Sequence, residues 1–122
     1  MASQANGRAV PLIGVVGPCA AGKTTLVANL TRLGIRSKHI AQEHSYVPDM
    51  WKRLTDPDIL VYLDVSYVTS MARRRLSWTE AEFEEQVLRL ENARRHADLI
   101  VTTDLLTPQQ VLERVLELIK RE

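Results

Sequence analysis

The sequence is poor in cysteine and has no long apolar run, and both shortages limit what the protein can be. Cys19 is the only cysteine among 122 residues, so no disulfide can form within the chain. That fits a reducing compartment and predicts a cytoplasmic protein. No stretch approaches the roughly 18 consecutive apolar residues that cross a bilayer, so we expect no membrane partner. Residues 1–9 are small and polar and predict a disordered N-terminal end.

An excess of charge of one sign is also missing. The formal net charge is +1, which gives no reason to expect a nucleic-acid or membrane-surface partner. Apolar residues make up 45% of the chain and charged residues 25%, as in an ordinary globular domain. The length supports one hydrophobic core, so residues 10–122 are predicted to form a single domain.

The remaining pattern alternates strand-like and helix-like segments. Short apolar runs predict strands at 10–16, 58–65 and 98–102, and a more polar run at 35–41 predicts an edge strand. Helical periodicity predicts helices at 23–33, 48–54, 67–76 and 79–96, with a final helix from Thr107. Thr79 with Glu82, and Thr107 with Gln110, have the spacing of capping boxes. The fold class is therefore predicted as α/β, a three-layer sandwich with a small, mostly parallel sheet of about four strands.

Residues 17–25, GPCAAGKTT, form a glycine loop between the first strand and the first helix and fit G-x-x-x-x-G-K-[ST]. Glycines permit the backbone to wrap an anion, and the helix start adds free N–H groups. Lys23 can reach the β- and γ-phosphates, the Thr24 hydroxyl can bind Mg²⁺, and Thr25 can touch the α-phosphate. The alternative is a glycine-containing turn with a chance lysine. The predicted nucleotide-binding residues are Gly17, Pro18, Cys19, Ala20, Ala21, Gly22, Lys23, Thr24 and Thr25.

Together with the glycine loop, the stretches YLDVS and DLIVTTD-x-L-TPQQ resemble the small P-loop kinases of the nucleoside, nucleotide and shikimate type. The resemblance covers residues 10–121 and implies a P-loop NTPase fold. It also implies ATP and Mg²⁺ as cofactors, and transfer of the γ-phosphate to a small hydroxyl or phosphate acceptor. The guanine-reading N-K-x-D motif is missing, which favours adenine. Only about 15 residues separate Gln42 from the strand at Asp58, so the usual third strand is predicted to be missing. The acceptor region is then short, and this minimal member would suit a small acceptor.

Ligands of open α/β sheets bind beyond the carboxyl ends of the strands, and this rule selects the catalytic candidates. Asp64 is the predicted metal-side carboxylate beside Thr24, with a structural role as the alternative. Glu43 is predicted to orient the acceptor, and otherwise is a solvated loop acid. The resemblance implies Arg73 and Arg74 as transition-state cations. It also implies rim positions at Arg89, Arg94 and Arg95, with a charged helix face as the alternative for all five.

Aromatic and histidine residues give weaker signals. Trp51 is predicted to be core rather than a stacking platform, and Trp78 a staple at a helix start. His44, with Trp51 or Arg53, could line an acceptor pocket. We expect His39 and His44 to lie on opposite faces of a strand, which argues against a metal site that uses both.

Two functions remain open from the sequence. One is a minimal kinase, in which Lys23, Asp64, Glu43, Arg73 and Arg74 act on ATP·Mg²⁺ and a small-molecule acceptor. The other is a nucleotide-binding regulatory or interaction module with weak or no ATPase activity. A nucleic-acid end kinase is disfavoured because no basic, aromatic-lined groove is evident. The polar edge strand at 35–41 leaves room for a second copy to extend the sheet as a homodimer.

Overall fold

The computed structural model describes residues 11–74 and 78–121, apart from the side chain of Arg74. The predicted disordered end at 1–9 therefore lies outside the described residues. The strands are β1 (Ile13–Val16), β2 (Ser37–His39), β3 (Ile59–Asp64) and β4 (Leu99–Thr102). The helices are α1 (Lys23–Arg32), α2 (Met50–Leu54), α3 (Tyr67–Arg74), α4 (Glu80–Arg89), α5 (Glu91–His96) and α6 (Pro108–Arg121). A 3-10 helix spans Gln42–His44.

The four strands form one parallel sheet in the order β2–β1–β3–β4. Val15 pairs with His39 on one side and with Val61 on the other, and Asp64 pairs with Thr102. The predicted α/β class with about four strands is confirmed, and every described strand pair is parallel. Because β2 and β3 flank β1, the chain reverses its direction of winding at β1. Such a switch point opens a crevice at the carboxyl ends of the strands.

Alternate residues of the central strands supply two apolar clusters, one on each face of the sheet. Val15, Val61 and Leu63 lie in the larger cluster with residues of α1, α4 and α6. Val16 and Tyr62 lie in the smaller cluster with residues of α2 and α5. The strands read as continuous apolar runs because both of their faces are covered by helices.

The single helix predicted over 79–96 is wrong, because the chain breaks at Leu90 into α4 and α5. Phe83 and Val87 pack in the larger cluster, whereas Leu90 and Ala93 pack in the smaller one. One straight helix cannot bury its side chains on opposite faces of a sheet. The break therefore serves tertiary packing and needs no glycine or proline.

Both predicted capping boxes are present. Thr79 Oγ1 accepts from Glu82 N at 3.1 Å, and Glu82 Oε1 accepts from Thr79 N at 2.8 Å. The same reciprocal bonds join Thr107 and Gln110. Trp78 lies edge-on to Phe83 with 5.8 Å between ring centroids, which is the predicted staple across the start of α4.

The edge strand β2 is shorter than the predicted 35–41 segment, and its side chains are not buried. Its position at the edge of the sheet is confirmed. No further strand lies between β2 and β3 within the described residues. Among the helices in this part of the chain, none is long and apolar enough to cross a membrane.

Candidate functional site

The glycine loop, residues 17–25, leaves the carboxyl end of β1 and leads into α1. Three of its residues have positive φ: Gly17 at 153°, Ala20 at 69° and Gly22 at 102°. A Cβ on Gly17 would come within 2.3 Å of the Leu63 carbonyl oxygen on β3, so only glycine fits there. Gly22 is the N-cap of α1 and provides no side-chain cap. The first-turn N–H groups of α1 therefore have no capping side chain and could receive an anion.

The Lys23 side chain is turned into the protein. It is 6% exposed, and its Nζ donates to the carbonyl oxygens of Gly17 and Pro18 and to Glu43 Oε2, the last at 2.8 Å. Three acceptors match the three donors of an ammonium group. In this arrangement Lys23 is held by protein groups, and its predicted contact with phosphates requires the side chain to swing outward.

Glu43 is the buried partner of Lys23. It is 3% exposed, so the alternative of a solvated loop acid is wrong. Its second carboxylate oxygen, Oε1, is buried with no hydrogen-bond partner among the described residues. A buried carboxylate oxygen without a partner loses the hydration it would have in water, which is energetically costly. This oxygen can therefore accept a bond from an incoming ligand.

A pocket of about 330 Å³ opens on the side of the glycine loop that faces Glu43. It is called the polar pocket here, because most of its lining residues have polar or charged side chains. It is lined by Cys19, Ala20, Gly22, Lys23, Thr24, Thr25, His39, Glu43 and His44. His39 and His44 thus border the same space, so their expected placement on opposite faces is wrong. The strand ends at His39 and His44 lies in the 3-10 helix, which ends the alternation of a strand. Burial, followed by the Lys23 charge, lowers the pKa of His39.

An apolar pocket of about 360 Å³ lies on the other side of the loop. It is lined by Ala20, Ala21, Gly22, Thr25, Leu26, Arg73, Thr103, Leu106, Pro108 and Val111. Of the predicted binding residues, Ala20, Gly22 and Thr25 border both pockets. The glycine loop is therefore the wall between one polar and one apolar space.

Arg73 reaches from α3 to the glycine loop, and its implied role as a transition-state cation stays a prediction. Its Nη1 donates to the Ala20 carbonyl and to Thr103 Oγ1, both at 3.0 Å, and its Nη2 donates to the Thr103 carbonyl. Thr103 Oγ1 also donates to the Ala21 carbonyl at 3.0 Å. Arg73 therefore joins α3, the loop and the end of β4. The role implied for Arg74 stays a prediction, because its side chain lies outside the described residues.

Asp64 is less open to a ligand than the sequence suggested. Its Oδ1 accepts from the Val65 amide at 3.0 Å, and its Oδ2 accepts from Arg94 Nη1 at 3.1 Å. The Arg94 guanidinium also lies 5.2 Å from the centre of the Tyr62 ring. Burial, followed by the Asp64 charge, raises the pKa of Tyr62. The metal-side role predicted for Asp64 stays a prediction, and the bonds fit its structural alternative.

Helix α4 contacts the glycine loop through a residue that the sequence did not single out. Gln86 Oε1 accepts from the Cys19 amide at 3.0 Å, and Gln86 Nε2 donates to Cys19 Sγ at 3.2 Å. One turn later, Arg89 Nη1 donates to the Glu43 carbonyl at 3.3 Å and its guanidinium stacks on Tyr46. The sequence did contain a signal for this contact, because Gln86 is a polar residue within the buried face of α4.

The segment that follows β2 is held by structural bonds. Buried Gln42 donates through Nε2 to the Val47 and Arg89 carbonyls, and its Oε1 accepts from the Trp51 amide. Trp51 is core, as predicted. Arg53 pairs with Asp49 at the surface and does not line the polar pocket. Of the acceptor-pocket candidates, Glu43 and His44 are brought together.

Asp104 and Ser66 follow neighbouring strands and meet at the start of α3, where Ser66 Oγ accepts from the Thr69 amide at 3.2 Å. Asp104 accepts from the Ser66 amide at 3.0 Å and from Thr69 Oγ1 at 3.2 Å. Burial raises the pKa of Asp104, but the bonds from Ser66 and Thr69 outweigh it and the net pKa is lowered. These residues position α3, and with it Arg73.

No protein-family model matches the sequence, and no curated protein matches it either.

Proposed function

We propose that the protein binds ATP·Mg²⁺ at the glycine loop and transfers the γ-phosphate to a small hydroxyl or phosphate acceptor, as a minimal P-loop kinase. The observation that carries this proposal is the placement of the loop between the apolar and the polar pocket. A nucleotide has a similar division, with a flat aromatic base whose faces suit apolar surface at one end and a charged triphosphate at the other. The start of α1, which has no side-chain cap, lies between the two pockets. Its free N–H groups could donate hydrogen bonds to phosphate oxygens there.

In this proposal the apolar pocket takes the base. Leu106, Pro108 and Val111 supply apolar surface there, and Arg73 supplies a planar guanidinium that can stack on a base. Arg73 already bonds the Ala20 carbonyl of the loop. If these bonds were exchanged for phosphate oxygens, the cation would instead stabilise charge on the phosphates, which is the role the resemblance implies.

The residues of the polar pocket fit Mg²⁺, a hard cation that prefers oxygen ligands. Thr24 offers an exposed hydroxyl, and Glu43 offers a buried carboxylate oxygen without a partner. Both Asp64 oxygens already accept bonds. Glu43 is thus the better-supported carboxylate for the metal side. When bound, Mg²⁺ would neutralise phosphate charge, while Lys23 leaves Glu43 to contact the β- and γ-phosphates.

A regulatory nucleotide-binding module is the second candidate, favoured by the bonds of Lys23. All three donors of its ammonium are used by Gly17, Pro18 and Glu43. Nucleotide binding would break that set and free Glu43. A change of this kind could be read by α4, which contacts the loop at Cys19 and the Glu43 carbonyl through Gln86 and Arg89.

A label-transfer experiment tests the kinase proposal against the module. The protein is incubated with γ-labelled ATP, Mg²⁺ and a pooled metabolite extract. Thr24→Ala is the loop variant, and Thr31→Ala is its control, because both threonines are exposed residues of α1. Label on an organic molecule, lost in Thr24→Ala and kept in Thr31→Ala, supports the kinase. ATP that binds without losing its label to an acceptor supports the module.

A further inference from the structure

Cys19, Glu43 and His44 form a cluster whose sulfur and nitrogen atoms neither the triphosphate nor Mg²⁺ explains. Each offers one ligand atom, and these three atoms lie within 4.8 Å of one another. Sulfur and imidazole nitrogen are poor ligands for Mg²⁺, which prefers oxygen, and good ligands for zinc-class ions. The glycine loop supplies the thiol, and the segment after β2 supplies the other two groups.

We propose that these three residues bind a zinc-class divalent cation at the mouth of the glycine loop. The second observation that points to a ligand is Glu43 Oε1, buried and without a partner among the described residues. In the nucleotide-free protein a bound zinc-class cation would provide the missing partner, whereas ATP·Mg²⁺, when bound, would compete for the same oxygen. Lys23 bonds the other oxygen, Oε2, and His44 Nε2 lies 3.7 Å from that same oxygen. Glu43 can therefore keep its ion pair through Oε2 while the exposed His44 side chain turns toward Oε1.

The distances suit closure around an ion. With Zn–S near 2.3 Å and Zn–N near 2.0 Å, two ligand atoms of a tetrahedral site lie about 3.5 Å apart. Because no separation in the cluster exceeds 4.8 Å, none has to contract by more than about 1.3 Å to reach this value. His44 is 61% exposed and its side chain can make that movement at little cost.

Outer bonds also agree with the site. The thiolate of Cys19 offsets one charge of the cation, and the carboxylate of Glu43 is shared between the cation and Lys23. Gln86 Nε2 already donates to Cys19 Sγ at 3.2 Å and would orient the thiolate as an outer-shell partner. Three protein ligands leave the fourth tetrahedral position to water.

Cobalt serves as the spectroscopic probe, since Co²⁺ occupies such sites and a bound thiolate gives a charge-transfer band. The full chain is kept reduced without added thiols and titrated with Co²⁺ in excess Mg²⁺, in the absence of nucleotide. We expect one equivalent of Co²⁺ to produce the thiolate band and the visible bands of tetrahedral cobalt. Zinc should then displace the cobalt and remove both.

The variants assign the ligands. Cys19→Ser should abolish the thiolate band. His44→Gln should weaken cobalt binding by more than about tenfold, since losing even an outer-shell partner costs 10- to 100-fold. His96→Gln is the matched control, because His96 lies on α5 outside the polar pocket, and it should bind cobalt as the wild type does. Circular dichroism checks that each variant is folded.

Two results would overturn the site. One is a wild-type protein that gives no thiolate band, and the other is a folded His44→Gln variant with unchanged cobalt affinity. Both results are obtained without nucleotide. The metal site can therefore be confirmed when the proposed function is wrong, and it can be refuted when the proposed function is right.

Discussion

The pair of Lys23 and Glu43 joins the glycine loop to the segment after β2, and its burial allows a quantitative prediction. Nζ and Oε2 are 2.8 Å apart, with both side chains more than nine-tenths buried. Removing one partner of a buried pair leaves an uncompensated charge and typically costs about 3–5 kcal/mol. Lys23→Met should therefore destabilise the nucleotide-free protein by that amount. A variant made only to remove a phosphate contact would also weaken the fold.

Urea unfolding monitored by circular dichroism measures the effect. With a slope of about 2 kcal/mol per molar urea, the midpoint of Lys23→Met should fall by about 2 M. Glu43→Leu should also be destabilised, because the Lys23 ammonium keeps its two carbonyl acceptors but loses its counter-charge. The double variant should recover much of the loss, since apolar replacement of a whole buried pair is often close to neutral.

An exposed ion pair provides the control for this cycle. Arg53 and Asp49 lie 2.9 Å apart at the surface, where such pairs contribute about 0–1 kcal/mol. Arg53→Met should thus leave the midpoint nearly unchanged. The buried pair does not form in solution if Lys23→Met lowers the urea midpoint as little as Arg53→Met does, and if the effects of Lys23→Met and Glu43→Leu simply add in their double variant.

Three further variants test other parts of the structure. Gly17→Ala should unfold the loop or the protein, because its Cβ would overlap the Leu63 carbonyl at 2.3 Å; a thermal midpoint equal to the wild type would refute this contact. Thr79→Ala should cost about 1 kcal/mol through the lost cap of α4, read as a lower urea midpoint, whereas no change would mean that the cap is not formed. The pKa of His39 is lowered in the folded state by burial and by Lys23, so its protonation favours unfolding. The stability that neutral His39 provides is lost as pH falls from about 6.5 through the lowered folded value; His39→Gln should reduce that loss, and an identical pH profile would contradict it.

The parts of the fold that the sequence predicted are those with local signals. Continuous apolar runs marked β1 and β3, and the spacing of Thr79 with Glu82 marked the start of α4. The break at Leu90 was missed because the apolar stripe continues through it without glycine or proline. Only the packing of Leu90 on the opposite sheet face from Phe83 separates α4 from α5.

Site residues that are contiguous in sequence could be predicted, but contacts between distant segments of the chain could not. The pattern of the glycine loop is contiguous, so its residues could be selected from spacing alone. The pairing of Lys23 with Glu43 joins residues 20 positions apart, and the contact of Gln86 with Cys19 joins residues 67 apart. Such contacts depend on the strand order, which places β2 beside β1 and which no local pattern encodes.

Equilibrium binding of ATP·Mg²⁺ tests the central proposal most directly. Titration calorimetry compares the wild type, Thr24→Ala and Thr31→Ala, because none of these proteins replaces Lys23 or Glu43. We expect one ATP per chain in the wild type and in Thr31→Ala, and affinity at least tenfold weaker, or about 1.4 kcal/mol, in Thr24→Ala. No binding to the wild type, or equal affinity in Thr24→Ala, would contradict nucleotide binding at the glycine loop.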